Sequence, residues 1–121
     1  MSNNKCFSTY DVRGYTISLD EQTWHRHICV GHPEMEYYFK EVQDAVEAPV
    51  YVMQSSVKST SNLYVNPLPY RDLFVKVIVD FHKSEDEGVI RTALLQKNLS
   101  SADKSGGVLY ADPKRSPKFP L

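Results

Sequence analysis

No stretch of this chain approaches the roughly 20 consecutive apolar residues that a helix needs to cross a bilayer. The opening Met1-Ser2-Asn3-Asn4-Lys5 also lacks the apolar core of a secretory signal. A membrane role is therefore not expected, and a cytoplasmic location is the default. Charge of one sign is missing as well: 14 Lys and Arg stand against 15 Asp and Glu, for a formal net charge of −1. A general nucleic-acid coat or a membrane-surface protein usually carries a basic excess, so both are disfavoured. An RNA-acting enzyme with its positive groups focused in one cleft is not excluded. Cysteine is scarce; Cys6 and Cys29 have neither metal-ligand spacing nor a partner cluster and read as two reduced, partly buried thiols. No internal repeat is visible.

What is present fits one modest domain. At 121 residues there is room for a single core and no second one. Aromatics are plentiful, with eight tyrosines. Tyr15-Thr16-Ile17-Ser18-Leu19 alternates and is rich in β-formers, following a turn at Gly14. Asp20 offers an N-cap to a short helix over 21–30, Leu19 can act as its staple, and Gly31 suits its end. Pro33 fits the first turn of a second helix, which carries Met35, Tyr38, Phe39, Val42, Ala45 and Val46 at helical spacing and stops at Pro49.

Beyond Pro49 the period turns strand-like. Val50–Met53 and Leu63–Val65 read as strands separated by a polar loop, and Asn66–Tyr70 as a proline-rich turn. Leu73–Phe81 is the clearest strand, apolar on both faces and so expected to be central. A charged turn at Ser84–Gly88 returns it into Val89–Leu95. Asn98–Gly107 reads as loop, Val108–Tyr110 as a last short strand, and 112–121, with three prolines and three basic residues, as a flexible tail. The order predicts an α+β domain over 1–111, two N-terminal helices packed on a curved antiparallel sheet of four or more strands.

Chemistry concentrates at the break between the two expected helices. His25, His27 and His32 are three of the four histidines, and histidine is the side chain that gives and takes protons near neutrality. Residues two apart on a helix lie about 200° apart around its axis, so His25 and His27 diverge and chelation is not expected. His27 falls on the face of Trp24 and Ile28, inward or along its edge. His32, before Pro33, is biased to an extended backbone at the junction. On the residues alone the structural reading is favoured, His27 hydrogen-bonded in the core and His32 capping a helix.

Lys76 is the second unusual residue. It interrupts Phe74-Val75-Lys76-Val77-Ile78-Val79, and a lysine in a central strand is costly unless its ammonium is paired or reaches an open cleft. Arg91 and Thr92 occur in the neighbouring strand and point to opposite faces. Tyr64 reads as a packing or rim residue.

Taken in order, these pieces resemble the phage-associated nucleases of the barnase–EndoU–colicin–RelE superfamily. They are Trp24-His25-Arg26-His27-Ile28, His32-Pro33-Glu34, Leu63-Tyr64, Phe74-Val75-Lys76-Val77-Ile78-Val79 and Gly88-Val89-Ile90-Arg91-Thr92-Ala93, and the resemblance spans about Thr16 to Tyr110. It implies RNA cleavage without metal or cofactor, by attack of a ribose 2′-hydroxyl on the adjacent phosphate. On the matching positions His27 and His32 become acid/base candidates. Lys76 would stabilise the phosphate charge, Thr92 would orient it, and Arg91 and Tyr64 would bind substrate. A protein antitoxin or inhibitor would be a natural partner, and a homodimer is left open. The rival expectation is a non-catalytic interaction domain, suggested by the near-neutral charge and by Tyr37, Tyr51, Tyr64 and Tyr70 as surface candidates.

Overall fold

The computed structural model describes residues 4–81 and 86–121. The chain begins with two strands, β1 (Lys5–Tyr10) and β2 (Thr16–Asp20), paired antiparallel around a turn in which Gly14 takes φ +90°. That left-handed backbone suits glycine, which has no Cβ to clash. Asp11 braces the turn, accepting from the Arg13 and Tyr15 backbone N–H groups at 2.9 and 2.8 Å.

A continuous helical run over 21–31 follows, here α1. It is α-helical at Glu21–Thr23 and Cys29–Gly31, with a π-helical turn at Trp24–Ile28 between them. Next come a 3₁₀ helix, Pro33–Tyr37, and α2, Phe39–Glu47. The expected single helix after Pro33 is therefore broken at Tyr38, whose φ is −123°. The Met35-to-Tyr38 step of three residues serves a 3₁₀ turn as well as an α-helix, so the spacing alone could not separate them. The apolar stripe survives the break, with Met35, Tyr38, Val42, Ala45 and Val46 all buried.

Five more strands complete the sheet: β3 (Tyr51–Gln54), β4 (Ser61–Pro67), β5 (Phe74–Phe81), β6 (Glu87–Gln96) and β7 (Val108–Ala111). A short helix, α3 (Ser101–Ser105), lies between the last two. The order across the sheet is β1-β2-β6-β5-β4-β3-β7. β5 is internal, between β4 and β6, and the turn expected at Ser84–Gly88 lies partly outside the described residues.

The expectation of two N-terminal helices on an antiparallel sheet of four or more strands is corrected here. Among the described residues the sheet has seven strands and is mixed, because β2 runs parallel to β6, and the helices are short, the longest run being 11 residues. β1, at one edge, is the strand without a counterpart in the expectation; β2 and β7, expected as short strands, take their places far from their chain neighbours. They depend on pairings distant in sequence, such as Thr16 with Glu87 and Tyr51 with Ala111.

Both sheet faces are covered. Val75, Val77 and Val79 of β5 point into the main core with Ile17, Leu19, Ile28, Met35, Val42 and Val46. Each fully buried aliphatic side chain there contributes about 1.5–3 kcal/mol. The alternate residues Phe74 and Ile78 join Val50, Tyr51, Met53, Leu63 and Val65 in a second cluster on the opposite face. Residues 112–121, expected to be a flexible tail, run back over this second cluster. The Tyr51 hydroxyl donates to the carbonyls of Phe119 (2.7 Å) and Ser116 (3.1 Å), and Phe119 packs edge-on to Phe74.

Candidate active site where β2 leaves β6

Parallel pairing between β2 and β6 stops at Ser18 and Val89. Past that point β2 runs on to Asp20 and turns into α1, while β6 continues along β5, and a cleft opens between them. Its walls are Asp20, Thr23 and His27 on one side and Val89, Ile90, Arg91 and Asp80 on the other, around some 450 Å³.

Local irregularities aim the two main polar groups. The π-helical turn takes an extra residue per hydrogen-bonded ring, a feature that recurs at functional sites. The Cys29 N–H bonds the Trp24 carbonyl, Trp24 and Ile28 are buried, and His27 is left exposed at the cleft. On β6 the register slips: Ile78 pairs with Thr92 but Val79 pairs with Ile90. Arg91 is the extra residue of that bulge, and such bulges re-aim side chains at strand edges.

Asp20 stands at the N-cap position of α1, yet its side chain makes no capping hydrogen bond. Its carboxylate, expected to hold the helix end, instead lines the cleft. Sequence reasoning missed it because an Asp before a helix is adequately explained as a cap. Asp80 was missed too, lying near the end of the expected strand Leu73–Phe81.

Asp80 fixes the charge of the far wall. Arg91 Nε and Lys58 Nζ approach the same oxygen, Oδ2, at 3.1 and 3.3 Å, and the Ser61 hydroxyl donates to Oδ1. Burial works against the charged carboxyl, but the bonds from Ser61 and Arg91, the Arg91 charge and the bond from Lys58 outweigh it. Asp80 is therefore held below the usual carboxylate range. Two cations thus meet on one carboxylate, Arg91 lining the cleft and Lys58 the neighbouring cavity.

The other expected site residues lie elsewhere. Lys76 alternates with the main-core valines and so points to the opposite face. There its Nζ donates to Asp103 Oδ1 at 2.9 Å, with the two side chains only 12 and 9 % exposed. Asp103 belongs to the capping box of α3: Ser100 Oγ accepts from the Asp103 N–H, and Asp103 Oδ2 accepts from the Ser100 N–H and from Gln96 Nε2. Burial opposes the charge, but the bonds from Lys76, Ser100 and Gln96, with the Lys76 charge, hold Asp103 at about 2. Lys76 is thus the paired lysine that a central strand tolerates.

Thr92, paired with Ile78, shares the Lys76 face. His32 sits half-buried at the junction ahead of the 3₁₀ helix, where its backbone carbonyl accepts from the Met35 N–H at 2.9 Å and its side chain caps nothing. It does not line the cleft.

Tyr64 is fully buried rather than on a rim. Its hydroxyl donates to Asp11 and accepts from Arg13 at 2.9 Å. Burial first, then the bond to Asp11, push that hydroxyl far above its ordinary range, so it stays protonated. Of the six expected site residues, the structure brings His27 and Arg91 together. His32, Lys76, Thr92 and Tyr64 stand apart from them.

Among the described residues no group of three or more His, Cys, Asp or Glu could hold a metal ion, and no helix is long and apolar enough to cross a membrane. No protein-family model, no curated protein and no solved structure matches this chain.

Proposed function

We propose that this chain is a small endoribonuclease that cuts RNA by attack of a 2′-hydroxyl on the adjacent phosphate, with the cleft between β2 and β6 as its site. The observation that carries the reading is that a carboxylate, an imidazole and a guanidinium, those of Asp20, His27 and Arg91, line one open cleft. The order of the Trp24–Ile28, His32-Pro33-Glu34 and Gly88–Ala93 pieces, which resembles that of phage-associated nucleases, supports it.

The reaction needs a base at the 2′-hydroxyl, an acid at the leaving oxygen and positive charge beside the phosphorane. The Asp20 carboxylate, unspent as a cap, takes the 2′-hydroxyl proton. The 2′-oxygen then forms its bond to phosphorus as the bond to the 5′-oxygen breaks, and His27 in its charged form protonates that leaving oxygen. Arg91 offsets the extra negative charge while it lasts, and the Thr23 hydroxyl is a further donor in the cleft. The products are a 2′,3′-cyclic phosphate and a 5′-hydroxyl, and a proton passing through solvent from Asp20 to His27 restores the starting state. A free toxin of this kind would need a protein antitoxin or inhibitor as partner.

The test is cleavage of a mixed RNA in the presence of EDTA. The reading expects activity in the native chain and a loss of about 100-fold or more in His27→Ala, with Asp20→Asn and Arg91→Ala also impaired. Absence of cleavage by the folded native chain would leave the interaction-domain reading. That rival rests on the near-neutral charge and on the exposed Tyr37 and Tyr70, since Tyr51 and Tyr64, its other surface candidates, are buried.

A further inference from the structure

A larger cavity of some 790 Å³ lies beside the cleft, and Asp80 lines both. Its floor is prearranged. The Arg13 guanidinium donates to Asp11 Oδ2 at 3.3 Å, to Asn62 Oδ1 at 2.8 Å and to the Tyr64 hydroxyl at 2.9 Å, and it stacks over the Tyr15 ring at 4.8 Å. Asp11 neutralises this arginine, so it serves as a rigid planar wall, and Tyr15, Phe81 and Leu109 add apolar surface.

Two amides on this cavity have their orientation set by their partners. Asn62 is 8 % exposed and spends Oδ1 on Arg13; its Nδ2 has no partner among the described residues. Among the described residues no enclosed side-chain nitrogen or oxygen lacks a partner, so Nδ2 is not enclosed, and Asn62 lines this cavity. Gln54 shows the reverse arrangement. Its Nε2 donates to the Ser59 and Ser61 carbonyls at 3.0 and 3.2 Å, leaving Oε1 as the unspent end. One fixed donor and one fixed acceptor beside a planar wall match the edge of a nucleobase, which presents both kinds of group. Lys58 and Arg91, meeting on Asp80, offer positive charge for a phosphate at the boundary with the cleft.

We infer that this cavity holds the base of the nucleotide whose 2′-hydroxyl attacks, with its 3′-phosphate lying over the Lys58–Asp80–Arg91 boundary toward His27. The inference rests on the ribonuclease reading for the direction of the strand, while binding itself requires no cleavage. The volume suits one nucleotide, since ligand sites run to about 300–1,000 Å³.

The test is titration of the isotope-labelled full chain with each of the four nucleoside 3′-monophosphates, with inorganic phosphate and ribose 5-phosphate as controls, followed by NMR. At least one nucleotide is expected to shift the Tyr15, Gln54, Asn62 and Leu109 signals, while the controls move only the signals around Lys58 and Arg91. Lys58→Ala, an exposed substitution, should weaken nucleotide binding by about tenfold. Asn62→Asp keeps the acceptor for Arg13 and converts the donor to an acceptor, so it should abolish the difference between the four bases. Shifts confined to His27 and Arg91, or nucleotide signals identical to those of inorganic phosphate, overturn the base site even if RNA is cleaved. Nucleotide shifts at Tyr15 and Asn62 without RNA cleavage uphold the base site and overturn the ribonuclease reading instead.

Discussion

Replacing Lys76 with methionine separates a structural lysine from a catalytic one. The ammonium donates to Asp103 at 2.9 Å with both side chains about nine-tenths covered, and removing one partner of a buried pair costs about 3–5 kcal/mol. Asp103 is not left bare, because the Ser100 N–H at 2.9 Å and Gln96 Nε2 at 2.7 Å remain. The drop from 3.8 to about 2 gives a second scale. At about 1.4 kcal/mol per pH unit it corresponds to roughly 2–3 kcal/mol, shared among all three donors. Lys76→Met should therefore lose about 1–2 kcal/mol in urea unfolding at pH 7, with an unchanged denaturant slope.

The sign of the pH dependence follows from the lowered Asp103 value. Its stabilisation is complete above the unfolded value of 3.8 and is lost as pH falls towards 2. The gap between native chain and variant should therefore close between about pH 4 and pH 2. A stability loss under about 0.3 kcal/mol, or a gap persisting at pH 2, refutes the pairing argument. If the folded variant instead keeps its stability and loses RNA cleavage, Lys76 belongs to the site and the assignment to the β2–β6 cleft is wrong.

Other outcomes follow from particular contacts. A Cβ added at Gly106 would lie 2.0 Å from the Gln54 carbonyl oxygen, a backbone atom; Gly106→Ala should cost about 1–3 kcal/mol in thermal or urea unfolding. Truncation after Ala111 uncovers Tyr51 and Phe74, so the shortened chain should lose about 2–4 kcal/mol and bind an apolar dye more strongly. Tyr51→Phe removes the hydroxyl that holds the Ser116 and Phe119 carbonyls and should raise amide exchange across 116–121 while changing global stability by about 1 kcal/mol.

The sequence revealed local order better than long-range order. The apolar residues on both faces of Leu73–Phe81 mark an internal strand, and Trp24, Ile28 and Val42 declare their buried face by spacing alone. β1 was passed over because Lys5–Tyr10 has only weak alternation and its value lies in pairing with β2. The parallel contact of β2 with β6 joins residues about seventy positions apart, which no local pattern encodes. α3 lies where the polar run Asn98–Gly107 reads as loop, although Ser100-Ser101-Ala102-Asp103 carries the spacing of a capping box, and it supplies the partner that explains Lys76. At the site, histidine chemistry drew attention to His27, but the β6 bulge decided that Arg91 rather than Thr92 faces it. Asp20 stayed hidden behind its structural explanation as a cap.

If Asp20, His27 and Arg91 act together on RNA, the ends of the cleaved strands carry the signature of 2′-hydroxyl attack. In EDTA, the native chain should leave 2′,3′-cyclic phosphate and 5′-hydroxyl termini. A folded His27→Gln variant should produce them at least about 100-fold more slowly. Cleavage at an equal rate by His27→Gln, or fragments bearing 5′-phosphates, would contradict the account.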